Sequence, residues 1–259
     1  MGRRVVPTAL LVWALTAVCA AAAAAQPGTG PRETVDQGLT TTRPNAPTGF
    51  TFTGRYHAAG DPEGEPPFLR RMVFYPPRGL RYDTSVPERC TASDLELELQ
   101  GAAACPEGSR IGGGTTEGVF YAPVADGVVF DRYTHTVDVM NNEDEQIVLV
   151  NSEGSTVVRG RLRPDGSLEF VTTTCFPSTK PMAECPDDYV LQLGSSTNLP
   201  PYTRTENGRV RSYATTPPTC PARGYWKSVI RFWWADGSED AVATRQPCSR
   251  PRKRHRGRR

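Results

Sequence analysis

The residues able to do chemistry are few, and most of them are cysteines. Seven occur in 259 residues. Cys19 falls inside an apolar leader, which leaves Cys90, Cys105, Cys175, Cys185, Cys220 and Cys248. An even set of cysteines in an exported chain reads as disulfides. Connectivity stays open at this level; pairing between neighbours is favoured, as Cys90–Cys105, Cys175–Cys185 and Cys220–Cys248. Zinc is the rival use of such thiols. There is no CxxC pair, and neither His57 nor His135 stands at ligand spacing from a cysteine.

Nucleophilic catalysis needs a nucleophile, a base and a group that orients the base. The candidate bases are His57, His135 and His255. His135 lies in Thr134-His135-Thr136-Val137-Asp138-Val139, where it reads as an ordinary strand residue. No serine stands in a G-x-S-x-G elbow. A glycosidase would need only two carboxylates, and sequence cannot say which acids meet. No catalytic residue is therefore assigned, and no cofactor is called for. The run from Ile111 through Gly112, Gly113 and Gly114 to Thr116 has the glycines of a phosphate-cradling loop but no following lysine, so it reads as a turn or bulge. Asp138, Asn141, Asn142, Glu143, Asp144 and Glu145 collect oxygen ligands that calcium would accept. Their spacing departs from an EF-hand loop and lacks its glycine. A solvated acidic turn is the plainer reading, and no metal ligand is assigned.

Aromatic residues concentrate at Tyr225, Trp226, Trp233 and Trp234. Trp226 and Trp234 suit the core. Trp233, on the polar side with Arg231, is the candidate platform for a sugar face. The C-terminal stretch holds Arg250, Arg252, Lys253, Arg254, Arg256, Arg258 and Arg259 and no acid. With nothing apolar to bury, residues 249–259 read as a disordered basic tail, attractive to anionic wall polymers or glycans rather than to a specific nucleic acid. With that tail and the leader's Arg3 and Arg4 set aside, 21 basic residues face 28 acidic ones.

The elements that would position these groups are strands. Asp236-Gly237 is a two-residue hairpin signal flanked by strand-like runs. Pairing outward from it sets Trp234 opposite Glu239, Phe232 opposite Ala241 and Ile230 opposite Ala243, with Ala241 and Ala243 on the apolar face. Arg163-Pro164-Asp165-Gly166 is a second turn, in which proline presets φ and glycine takes the left-handed position. Other strands are expected near Phe50–Tyr56, Met72–Tyr75, Val119–Tyr121, Val128–Phe130, Thr134–Met140, Gln146–Asn151, Val157–Leu162, Ser167–Thr173, Val190–Leu193 and Val210–Thr215. Ser93 and Glu96 form a capping box for one short helix between Cys90 and Cys105. About ten short strands without a long helical period predict a mainly β, antiparallel β-sandwich, Ig-like or jelly-roll-like, with long loops.

Arg3 and Arg4, the apolar run Val5–Ala20 and the small residues to Ala25 have the three-part pattern of a secretory signal peptide, cleaved after Ala25. Residues 26–48, rich in Pro, Gly and Thr, read as a disordered linker. Residues 49–248 then form a single domain. No later stretch is apolar and long enough to span a membrane once the signal is removed, and oligomeric state is not readable.

Two groups of residues carry a resemblance. The first is Phe74-Tyr75-Pro76-Pro77-Arg78-Gly79-Leu80, Cys90 and Ala104-Cys105-Pro106-Glu107-Gly108-Ser109-Arg110-Ile111-Gly112. The second is Thr216-Pro217-Pro218-Thr219-Cys220-Pro221, Gly224-Tyr225-Trp226, Ala235-Asp236-Gly237 and Pro247-Cys248. In this order they resemble uncharacterised exported proteins of high-GC Gram-positive bacteria, over Pro66 to Cys248. Cys175 and Cys185 are not part of that pattern, and the group brings no activity with it. The expected function is a secreted or wall-associated, non-enzymatic binding or structural protein. The alternatives are an extracellular carbohydrate-active or other hydrolytic enzyme, and a calcium-dependent adhesin.

Overall fold

The structure, a computed structural model, describes residues 25–124, 127–152, 155–172 and 189–249, with only the backbone described for 120–124, 127–130, 189 and 190. The leader before Ala25, Cys175, Cys185 and the basic residues from Arg250 onward lie outside the described residues.

The strands are β1 (Gly28–Thr29), β2 (Glu33–Leu39), β3 (Phe50–Tyr56), β4 (Leu69–Tyr75), β5 (Arg81–Tyr82), β6 (Arg110–Val124), β7 (Gly127–Asn142) and β8 (Glu145–Asn151). They continue as β9 (Thr156–Leu162), β10 (Leu168–Val171), β11 (Tyr189–Leu199), β12 (Thr203–Glu206), β13 (Arg209–Ser212), β14 (Ala214–Thr215), β15 (Tyr225–Trp234) and β16 (Glu239–Pro247). Among the described residues the one α-helix is α1 (Asp94–Gln100).

The chain is mainly β and antiparallel, as expected, but it does not divide into the two packed sheets of a sandwich. Twelve strands form one sheet in the order β1-β2-β3-β11-β6-β7-β8-β9-β10-β4-β15-β16. Its two ends are drawn together: Gln26 and Arg245 exchange backbone hydrogen bonds of 3.0 and 3.3 Å, so the sheet curls into a nearly closed barrel. Period-two alternation describes a half-buried strand in either architecture and does not distinguish them. Exposed outward positions include Thr34, Asp36, Thr53, Arg55, Thr136 and Ser196. That exterior suits water, whereas a membrane barrel presents an apolar belt.

Three expected local features need correction. Residues 26–48 are not a free linker: β2 pairs with β3 from Glu33↔Tyr56 to Leu39↔Phe50, with Glu33, Val35 and Gln37 buried. The alternation is present, but two of the three inward residues are polar, which hid it. The run 112–114 begins at a bulge between Arg110 and Gly112, one of the two expected readings, but then continues as the interior of β6 and makes no turn. Glycine is needed there because a Cβ on Gly114 would sit 1.8 Å from the Ser196 carbonyl oxygen of β11. The third concerns the last hairpin. Trp234 N–H donates to Ser238 O at 3.0 Å and Gly237 N–H to Trp234 O at 3.1 Å, closing a three-residue loop with Gly237 at φ 85°. Asp236 Oδ1 accepts from Ser238 N and Oγ, which favours the longer turn over the expected two-residue one. Ile230 therefore faces Val242 and Phe232 faces Asp240. Asp240, Val242 and Thr244 point inward, while Ala241 and Ala243 are exposed.

The turn at Arg163 holds as expected, with Gly166 at φ 82° and its N–H 2.9 Å from Arg163 O. So does α1, capped by reciprocal Ser93 and Glu96 bonds. It lays Leu97 on the outside of the barrel against Ile147, Leu149 and Val157. The Cys90–Cys105 disulfide ties off this excursion. Arg159 reinforces it, pairing with Asp94 at 2.7 Å and Glu145 at 2.6 Å.

Candidate functional site

The barrel is not filled. Its lumen holds a cavity of about 190 Å³, lined from ten of the twelve strands and by Tyr82. Large side chains take up most of the interior, as the diameter of so many strands requires. At one end Leu80, Tyr82, Tyr213 and Ala214 pack on Phe50, Ile111, Val139 and Leu199, so the β5 and β14 segments form a plug. At another, Val35, Tyr56, Leu69, Ile230, Phe232, Trp234 and Val242 make a solid cluster.

The cavity has two unlike walls. On β7, β8, β9, β10, β4 and β15 the inward residues are mainly aliphatic and aromatic: Val137, Val139, Val148, Val150, Val158, Leu168, Phe170, Met72, Phe74 and Ile230. The register explains this, since Val139↔Val148↔Val158 runs straight across three strands. On β2, β11 and β6 the inward residues include Gln37, Gln192, Ser195, Thr197 and Thr116, with Phe50, Phe52 and Tyr56 of β3 between them. Thr116 Oγ1 donates to Gly194 O at 3.2 Å and accepts from Gln192 Nε2 at 3.4 Å. The Tyr56 hydroxyl bonds to Ser195, and burial pushes its pKa up to about 12. Gln37 accepts from Thr244 Oγ1 at 3.0 Å, while its own Nε2 has no hydrogen-bond partner among the described residues. No charged side chain lines the cavity among the described residues.

Below this lies a second polar group, at the seam where β2 meets β16. Glu33 is fully buried and Asp240 nearly so. Trp234 Nε1–H is shared between Glu33 Oε1 at 3.1 Å and Asp240 Oδ2 at 3.0 Å. Arg32 Nη1 pairs with Asp240 at 2.8 Å. Burial, with Asp240 alongside, raises the Glu33 carboxyl to about 7. Sequence reasoning missed Glu33, Gln37 and Asp240, although the 33-35-37-39 alternation was there to be found.

The sequence-derived candidates lie elsewhere. Trp226 and Trp234 are buried, as expected. Trp233 and Arg231 share the outer face of β15, but the Arg71 guanidinium lies 4.3 Å over the Trp233 ring and Arg231 pairs with Glu239 at 3.2 Å. His135 faces inward beside Thr116 and stacks on Tyr133, with ring centroids 4.7 Å apart. His57 Nδ1 lies 2.8 Å from Ala58 O. In the acidic turn Asp138 pairs with Arg110, Glu143 with Arg89 and Glu145 with Arg159, while Asn141 donates to the Thr84 and Glu88 carbonyls. Among the described residues no group of three or more His, Cys, Asp or Glu is placed to hold a metal ion. Cys220–Cys248 is formed, and the Pro221–Gly224 turn bends Cys220 back as expected.

Comparison with family models, curated proteins and solved structures finds no match to this chain. The two disulfides, and the absence among the described residues of a helix long and apolar enough to cross a membrane, are compatible with an extracellular protein.

Proposed function

We propose that this is a secreted, disulfide-braced, non-enzymatic binding protein that carries a small, mostly apolar molecule inside its barrel. The observation that supports this reading is the cavity in the lumen with its aliphatic and aromatic wall. Binding sites for small molecules are concave, mostly apolar and supplied with a few fixed polar groups. Burial of apolar ligand surface would drive association. The hydrolase reading finds a close carboxylate pair in Glu33 and Asp240, but Glu33 is fully buried and neither residue lines the cavity, so a substrate bound there would not meet them.

Titration with the neutral fluorophore N-phenyl-1-naphthylamine tests the proposal. Saturable binding to the full chain is expected. Val148→Trp, which sets an indole in the lumen, should weaken it by about tenfold or more. Fluorescence that rises without saturation, or that Val148→Trp leaves unchanged, would contradict the reading. The basic residues 250–259 would add retention on anionic wall polymers. A chain ending at Cys248 should then be released from isolated walls at lower salt.

A further inference from the structure

The division of the lumen into two walls says more about its occupant than the volume does. An entirely apolar lumen would suit a plain hydrocarbon. Here, uncharged hydrogen-bonding groups concentrate on adjoining strands: Gln37 on β2, Thr116 on β6, and Gln192 and Ser195 on β11. The facing strands supply mainly carbon; the polar residues there, Gln146 of β8 and Thr172 after β10, are bonded to the Tyr213 hydroxyl and to Leu69 O. Gln37 adds a more specific sign. It is 2% exposed, its carbonyl is taken by Thr244, and its amide N–H group is left without a partner among the described residues. An unpaired buried donor is costly, and a ligand oxygen would relieve that cost.

The lining also restricts charge. With no Arg, Lys, Asp or Glu on it, an ionised head drawn into the lumen would lose its hydration without a counter-ion. Shape points the same way. On β3 the lining residues run from Phe50 to Tyr56, and on β11 from Gln192 to Leu199. At roughly 3.3 Å per residue each stretch is about 20 Å long. So modest a volume spread along that length describes a channel rather than a sphere.

Resting on the proposal that the lumen binds an apolar molecule, we infer that its occupant is a single uncharged acyl-chain lipid carrying carbonyl or hydroxyl oxygens, of the acyl-ester or monoacylglycerol kind. The chain lies along β7, β8, β9, β10 and β4. The oxygens face Gln37, Thr116 and Gln192, with an ester carbonyl accepting from the Gln37 amide. A free fatty acid in its ionised form is excluded by the uncharged lining.

Displacement of N-phenyl-1-naphthylamine from the full, oxidised chain at pH 8 tests this, with 1-monolauroylglycerol, methyl laurate, dodecane and laurate as competitors below their aggregation concentrations. The two esters should displace the probe at concentrations about tenfold below that of laurate, and about fivefold below that of dodecane. Gln37→Leu should abolish the advantage over dodecane while retaining the probe. If Gln37→Leu does not fold, as judged by thermal melting, Gln192→Leu provides the same comparison from β11. Laurate competing as well as the esters, or dodecane matching them, would overturn the inference while leaving a binding lumen. Failure of the probe itself to bind would remove the lumen reading altogether and the inference with it.

Discussion

The seam between β2 and β16 and the wall formed by β8, β9, β10 and β4 solve the same packing problem with opposite chemistry. In the wall, inward Val148, Val158, Leu168 and Phe74 meet across regular ladders, and backbone pairing fixes their register. At the seam Val35 and Val242 are flanked by inward Glu33, Gln37, Asp240, Thr244 and Gln246, held by side-chain bonds that cross from one edge to the other. The wall gains from burial without regard to direction. The seam gains only where each donor meets its acceptor, which makes it more specific and more sensitive to protonation. Closure of the barrel therefore depends on polar geometry, and its capacity to hold a ligand on the apolar wall.

That contrast can be broken most forcefully from the apolar side. Phe232 is fully buried, between Tyr56 and Trp234. Phe232→Ala should cost about 3–5 kcal/mol in chemical denaturation. A loss under about 1 kcal/mol would show that this cluster does not support the fold. Next comes the disulfide that ties the start of β15 to the end of β16, between cysteines at a sequence separation of 28. Replacing Cys220 and Cys248 together by serine should cost about 3–4 kcal/mol, read from the urea midpoint. Cys90–Cys105, which closes a shorter loop around α1, should cost somewhat less.

The seam should respond to pH where the wall does not. Glu33 titrates near 7 in the folded chain, against an ordinary value of 4.5. Between those limits the folded state holds a proton that the unfolded state has released. Glu33 therefore stabilises most fully below about pH 4.5, and its contribution is lost as pH rises through 7. Glu33→Gln keeps the shape of the protonated acid and should remove that slope. Above pH 7 the variant should be the more stable by on the order of a few kcal/mol. Parallel pH profiles for the two proteins would contradict a Glu33 carboxyl raised by its burial beside Asp240. The smallest effect belongs to the exterior: Arg71→Ala, which strips the cation from Trp233 and leaves Glu169 with Arg163 alone, should change stability by less than about 1 kcal/mol.

How much of this could be read in the sequence follows the same division. The strands of the wall were legible, because short runs rich in Val, Ile, Leu and Phe between turn residues announce a strand; which side faces the lumen was not, since Ile147 to Val150 are all apolar. The turn at Pro164-Asp165-Gly166 and the Ser93 cap were legible because each residue has a local reason to be there. The seam was not, since Glu33 and Gln37 look like linker residues until partners 201 and 207 residues away explain them. The last hairpin shows how small a local ambiguity can be. Asp-Gly suits both two- and three-residue loops, and the Asp236–Ser238 bonds chose the longer. That one-residue slip brings Asp240 and Thr244 inside. Whether strands close into a barrel or stack as two sheets depends on the accumulated register of a dozen pairings, which no single strand records.

The most direct measurement is a methyl NMR titration of the oxidised chain with 1-monolauroylglycerol. The methyl resonances of Val137, Val139, Val148, Val150 and Val158, which line the cavity, should shift saturably, while those of outward-facing Val229 stay in place. Shifts confined to Val229 and other outer-surface methyls, or none at all, would contradict a ligand carried inside the barrel.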